Sequence, residues 1–152
     1  MTEIAYVAVG ANLGDPRQSV EDAIDALGRL PQSRLAARSS LYRTAPVDAG
    51  GPDFINAVVA LETGLAPLEL LARLQAIEAA AGRERPYRNA PRTLDLDLLF
   101  HGEQKLDTPT LTLPHPRMGQ RAFVLVPLAE IAPDRVADAQ LAAVAGQAIQ
   151  RL

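Results

Sequence analysis

Asp95 and Asp97 stand two residues apart in the segment Pro91 to Phe100, PRTLDLDLLF. Successive side chains of a strand point to opposite faces, so both carboxylates share one face, roughly 6.5 Å apart along the chain. Leu94, Leu96, Leu98 and Phe100 are expected on the other face, in a core. Hard cations such as Mg²⁺ take oxygen ligands, usually one or two carboxylates together with substrate phosphates. Paired acids on a strand suit such a cation, although any strand with one wet face also carries acids. Arg83, Arg85, Arg88 and Arg92 fall within a single ten-residue window that runs into the same strand. The planar guanidinium fork grips phosphate oxygens in bidentate fashion.

Three further features add to this chemistry. His115 lies between Pro114 and Pro116, where a structural role is the ordinary explanation. Phe54 and Asn56 alternate at the mouth of another strand, and Phe123 follows later. An exposed aromatic there is ordinarily covered by a neighbouring loop. Two aromatics nevertheless suit a flat heterocycle, and an amide reads the polar edge of one. Acids for a metal and arginines for phosphates are nearly all that phosphoryl transfer needs, because its catalysis is positioning plus charge stabilisation.

Several elements must hold these residues. Ile4 to Val9 is apolar on both parities, the pattern of a central strand covered on both faces. The turn after Gly10 lacks both the Gly-Lys-Ser/Thr of a P-loop and the third glycine of a dinucleotide fingerprint, so it reads as a strand-to-helix turn. Asp15 as N-cap, Pro16 at the first position and Gln18 completing a capping box begin a helix. Val20, Ala23, Ile24 and Leu27 form its buried stripe. Leu35 to Thr44 reads as a second strand, Ala45 to Pro52 as a loop, and Phe54 to Leu61 as a third strand. Pro67 opens a second helix, buried through Leu70, Leu74, Ile77 and Ala81 and closed by Gly82 as C′ residue. The strand of Asp95 and Asp97 follows. A mostly irregular C-terminal third ends in a docking helix from Gln140. The order βαββαβ predicts a ferredoxin-like α+β sandwich, an antiparallel sheet with helices on one side.

The chain has 152 residues, 48% hydrophobic and 22% charged, with no cysteine and net charge −3. That length suits one domain over residues 1–152 with a real core. Disulfides and thiolate metal sites are excluded. The acidic balance argues against a nucleic-acid surface, while the local arginine cluster suits a small polyanion. No run approaches the ~18 apolar residues of a membrane span and no signal peptide is evident, so a cytoplasmic protein is expected.

In this setting the chain resembles the 6-hydroxymethyl-7,8-dihydropterin pyrophosphokinase family of folate biosynthesis. The resemblance rests on ordered blocks: VGANLGD (Val9 to Asp15), SSLYRTAP (Ser39 to Pro46), DFINAVVALET (Asp53 to Thr63), PRTLDLDLLF, and LPHPRMGQRAFVLVPLAEIAP (Leu113 to Pro133). It implies Mg-dependent transfer of diphosphate from ATP to the pterin hydroxymethyl group, with release of AMP. Two Mg²⁺ ions are implied on Asp95 and Asp97, with Arg83 and Arg92 as catalytic-loop arginines. Gln75, Glu78, Arg85, Arg92, Leu98, Thr112, His115 and Arg121 match the ATP site. Thr44, Pro46, Phe54, Asn56 and Phe123 match the pterin pocket, the two Phe rings as its walls. A monomer is expected, acting on small molecules, with no nucleic-acid or membrane partner. Two positions depart from some members: Asn89 stands where they carry Trp, with Tyr87 nearby, and Pro116 stands where they carry Tyr. His115 suits a general base by chemistry, whereas the family match gives it to phosphate.

Two other functions fit parts of this pattern. A non-catalytic nucleotide-binding module explains the arginines but leaves the paired acids without a role. A metal-dependent phosphohydrolase uses the acids but has no need of Phe54 or Asn56.

Overall fold

The computed structural model describes residues 2–46, 51–82 and 94–152. Arg83, Arg85, Tyr87, Arg88, Asn89, Pro91 and Arg92 lie outside the described residues.

The elements run β1 (Glu3–Ala11), α1 (Pro16–Gly28), β2 (Ser33–Arg38), β3 (Tyr42–Thr44), β4 (Phe54–Thr63), α2 (Pro67–Gly82) and β5 (Asp95–His101). β6 (Leu106–Asp107), β7 (Thr112–Leu113), α3 (Ala122–Ile131), α4 (Asp138–Ala143) and β8 (Gln150–Arg151) complete the chain. The main sheet is ordered β5-β1-β4-β3-β8, with β2 also paired to β4. β1 pairs antiparallel with both β4 and β5, and β2 and β3 pair antiparallel with β4. This is the expected ferredoxin-like α+β arrangement.

α1 starts as its sequence dictates, with the Asp15 carboxylate accepting the Gln18 N–H at 3.2 Å and Pro16 in the first turn. The Gln18 side chain reaches forward to Asp22 at 2.8 Å instead of back to the cap, so the capping box is only half formed. Val20, Ala23, Ile24 and Leu27 are all buried. α2 runs through Gly82, and its buried stripe is Leu70 and Leu74; Ile77 packs only partly and Ala81 is exposed.

The expected second strand is broken into β2 and β3 by Ser39. Its N–H donates to Val58 O at 2.9 Å, and its hydroxyl accepts the Val58 N–H at 2.9 Å. A side chain thus replaces one rung of the ladder, which a pattern of apolar residues does not reveal.

Helices cover both faces of the sheet, not one. The first core packs α1 and α2 against Ala5, Val7, Val9 and Ala11 of β1, Ala57, Val59 and Leu61 of β4, and Leu96 and Leu98 of β5. A second core lies on the opposite face, where Val124, Leu125 and Leu128 of α3 meet Ala8, Val58, Leu99 and Phe100. Phe100 is therefore on the face opposite Leu96 and Leu98. The cause is a register shift between β1 and β5: Val7 faces Leu98 while Tyr6 faces Phe100. One extra residue in a bulge inverts the alternation beyond it.

The C-terminal third is likewise more ordered than its composition predicts. Its apolar run forms α3 despite Pro127, and the tail is a short helix plus an edge strand rather than one docking helix. β8 pairs with β3, Tyr42 opposite Arg151, and the Leu152 N–H donates to Leu41 O at 2.9 Å. Among the described residues, no helix is long and apolar enough to cross a membrane.

Candidate active site

One cavity of about 670 Å³ opens on the α3 face of the sheet, a volume common for small-molecule sites. Its floor is set by strand register. Gly10 of β1 faces Asn56 on β4 and Asp95 on β5, and Ala8 faces Asp97. Two strand spacings therefore separate Asn56 from Asp95, about 10 Å. The residues between are small, and Ala8, Val9 and Gly10 all line the cavity. A β-carbon at Gly10 would stand 2.9 Å from Asn56 Oδ1, so the glycine is what admits the amide at this place.

At the β4 side, Asn56 is only 4% exposed and its Nδ2 donates to the Thr44 hydroxyl at 2.9 Å. Burial with a fixed partner locks the amide's orientation. Phe54 lines the same wall, and Phe123, in the first turn of α3, lines the opposing element. At the β5 side stand Asp95 and Asp97. Asp97 Oδ2 is 3.9 Å from the Arg121 guanidinium, and Asp97 Oδ1 is 4.0 Å from His115 Nε2. Arg121 also lies over the Phe123 ring, 5.5 Å from its centroid, so one cation links Asp97 to an aromatic wall of the cavity.

The Arg117 N–H donates to His115 Nδ1 at 3.1 Å. In the neutral ring the proton then sits on Nε2, the nitrogen facing Asp97. Burial lowers the His115 pKa; the Asp97 carboxylate opposes this, while Arg121 and Arg117 add to it. The net shift is downward.

The structure thus brings Thr44, Phe54, Asn56, Asp95, Asp97, Arg121 and Phe123 to one cavity, with His115 at its edge. Pro46 follows Ala45, a lining residue. Four residues are placed elsewhere. Leu98 is 2% exposed and faces the α1/α2 core. Gln75 is exposed on α2, and Thr112 lies in β7. Glu78 reaches from α2 to accept the Leu96 N–H at 2.8 Å, between the two aspartates. Arg83, Arg85 and Arg92 lie outside the described residues.

The lining also includes Arg117, Gln120 and Gln147, which the sequence pattern did not single out. Arg117 had a signal: a second arginine four residues before Arg121 in the block around His115. Gln147 had none, because it reaches the site only through the folded tail.

Among the described residues, no three His, Asp or Glu side chains cluster as a closed metal cage. Asp95 and Asp97 on one face suit an open site instead. Mg²⁺ keeps several waters and is bound through one or two carboxylates plus phosphates, so the donor set fits that ion.

Residues 6–133 match the model of the 7,8-dihydro-6-hydroxymethylpterin-pyrophosphokinase family. The chain is 52% identical, over its whole length and 98% of the relative, to the Pseudomonas aeruginosa protein named 2-amino-4-hydroxy-6-hydroxymethyldihydropteridine pyrophosphokinase. The Haemophilus influenzae protein of the same name is 44% identical over 87% of this chain and 83% of its own. Among solved structures, a triple mutant of Plasmodium falciparum HPPK-DHPS superposes with TM-score 0.70 at 14% identity, covering 88% of this chain. This chain spans 40% of that larger one, and the likeness bears on fold alone. By family match and by relatives along its full length, the chain belongs to the 7,8-dihydro-6-hydroxymethylpterin-pyrophosphokinase family and is an enzyme of the pyrophosphokinase class.

Proposed function

We propose that the chain transfers a diphosphoryl group from ATP to the hydroxymethyl oxygen of 6-hydroxymethyl-7,8-dihydropterin, in the cytoplasm and as a monomer. The observation that carries this reading is the register at Gly10, which sets Asn56 and the Asp95/Asp97 pair about 10 Å apart on one floor. A flat bicyclic ring spans such a distance with its polar edge at one end and its hydroxymethyl arm at the other. Phe54 and Phe123 are the stacking walls, and Asn56 with Thr44 reads the edge. Arg121 holds phosphate beside the acids, assisted by His115. Arg83, Arg85 and Arg92 act on the triphosphate, and Gln75, Glu78, Leu98 and Thr112 belong to the nucleotide side.

The pterin oxygen forms a bond to the β-phosphorus of ATP, and the bond from that phosphorus to the α-bridging oxygen breaks. AMP leaves with the bridging oxygen, and the hydroxyl proton is lost to solvent. Asp95 and Asp97 are the residues that would hold Mg²⁺, two ions by the family pattern, which supplies neutralisation of phosphate charge. The protein's own part is to align the two substrates and exclude water between them.

Incubation with ATP, Mg²⁺ and the pterin tests this directly. AMP and pterin diphosphate in equal amounts are expected. ADP release, or ATP loss that ignores the pterin, would replace this function with a simple kinase or hydrolase.

A further inference from the structure

Gln147 bridges the two peptide groups on either side of Arg121. Its Oε1 accepts the Ala122 N–H at 2.9 Å, and its Nε2 donates to Gln120 O at 2.9 Å. One amide therefore closes a ring around the residue between them. Gln147 lies beyond residue 133, where the family match ends. It is carried to the cavity by the tail, which is tied down by the β3–β8 pairing and by the Leu152 N–H to Leu41 O.

The held segment is a junction between two elements. Residues Met118–Gln120 form a single 3-10 turn, and Arg121 is extended, with φ −127° and ψ 110°, before α3 begins. No side chain of Arg121 caps that helix. The Arg121 N–H donates to Met118 O at 3.2 Å and its carbonyl accepts the Val124 and Leu125 N–H groups at 3.1 and 3.0 Å, so the backbone is held within the segment. The Gln147 amide adds a tie from the tail across the same two peptides. The guanidinium lies 3.9 Å from Asp97 and 5.5 Å from the Phe123 ring centroid.

We propose that Gln147 is a positioning residue, which acts through Arg121 to aim that guanidinium at the phosphates of the bound nucleotide. The inference rests on the proposed function, because it takes a polyphosphate as the ligand of Arg121. Both polar atoms of the Gln147 side chain are taken up by the backbone of Gln120 and Ala122, so its effect is on binding and alignment. Its side chain is exposed, and its replacement leaves the cores intact.

The test is a double-mutant cycle between Gln147 and Arg121, read as calorimetric affinity for the Mg²⁺ complex of a non-hydrolysable ATP analogue. Gln147→Met keeps the length and loses both bonds; Gln147→Ala serves as the second variant. Each is expected to weaken binding about fivefold to tenfold, the effect of two modest hydrogen bonds, with a small fall in thermal midpoint from the same lost bonds. On the Arg121→Ala background the same change is expected to do nothing further. An equal loss on both backgrounds, or no loss in Gln147→Met, would overturn the positioning role. Wild-type protein that binds no Mg²⁺-nucleotide would instead overturn the proposed function itself, and the inference with it.

Discussion

The two faces of the sheet are built from the same strands and do different work. On the α1/α2 face, every inward residue of β1 is aliphatic, from Ala5 through Val7 and Val9 to Ala11, and the layer is apolar apart from Thr63 and His101, buried at the end beside Leu65. On the α3 face the same strand offers Tyr6, Ala8 and Gly10. Tyr6 packs edge-on against Phe100, with ring centroids 6.1 Å apart, in the second core. Toward Gly10 the side chain shrinks to nothing, and polar neighbours take the space. The gradient along β1 thus divides one face into a half that packs and a half that binds. A cavity on a sheet needs small residues on a central strand and large ones around it.

The sharpest way to separate the faces is to cut adjacent residues of β5. Asp97 has 44% of its side chain exposed, so Asp97→Ala leaves no internal void. It is expected to leave stability nearly unchanged and to slow AMP release by about 10²–10⁴-fold, the loss of several kcal/mol of charge stabilisation. Leu96→Ala, one residue earlier, is expected to cost ~2–5 kcal/mol of stability by opening a cavity in the α1/α2 core, with turnover of the folded fraction retained. Denaturant melts beside AMP assays measure both. Near-normal turnover of Asp97→Ala at saturating Mg²⁺ would remove Asp97 from the chemistry.

The sequence made the α1/α2 face legible and the other face only in part. Val20, Ala23, Ile24 and Leu27 recur at helical spacing, and strand alternation placed Leu94, Leu96 and Leu98 in the core they occupy. What alternation could not see was the bulge between Leu98 and Phe100, because a bulge depends on pairing with β1. The α3 run AFVLVPLAEI is apolar on every side but that of Glu130. It therefore shows no period to mark it as a helix, and Pro127 argues against one. The candidate site was legible where types repeat within short blocks, as at Asp95/Asp97 and Phe54/Asn56. It was illegible where residues distant in sequence meet, as Gln147 does with Gln120 and Ala122.

The size gradient along β1 makes a second prediction. Gly10→Ala places a methyl 2.9 Å from Asn56 Oδ1. That amide is held by Thr44, so it must tilt and lose its alignment to the ligand edge. Pterin affinity is expected to fall about tenfold, near the ~1.5 kcal/mol of one well-made hydrogen bond, while nucleotide affinity stays within twofold. Titration of each ligand separately decides it, and equal losses for both would mean that the strand itself has shifted.

The smallest effect concerns how α3 is held. On the α1/α2 face each helix is tied to the sheet by one carboxylate, Glu21 on Arg38 and Glu78 on the Leu96 N–H, whereas the α3 carboxylate Glu130 gathers three bonds from two residues. That carboxylate accepts the Tyr42 hydroxyl at 2.7 Å, the Ser40 N–H at 3.0 Å and the Ser40 hydroxyl at 2.9 Å. Burial alone would raise the Glu130 pKa, but these bonds and Arg151 together hold it below the usual range. Burial, then Glu130, pushes Tyr42 up to about 12. A phenol ordinarily titrates near ~10, so the folded state keeps its proton more tightly than the unfolded one. The resulting stability is fully present below pH ~10 and is lost as pH rises through about 12. Tyr42→Phe cannot titrate there. Its stability, lower by ~1 kcal/mol at neutral pH for the lost hydrogen bond, should decline less steeply across that alkaline window. Urea midpoints of both proteins from pH 8 to 12 would show the curves converging. Parallel curves would mean that the Tyr42 proton plays no part in holding α3 to the sheet.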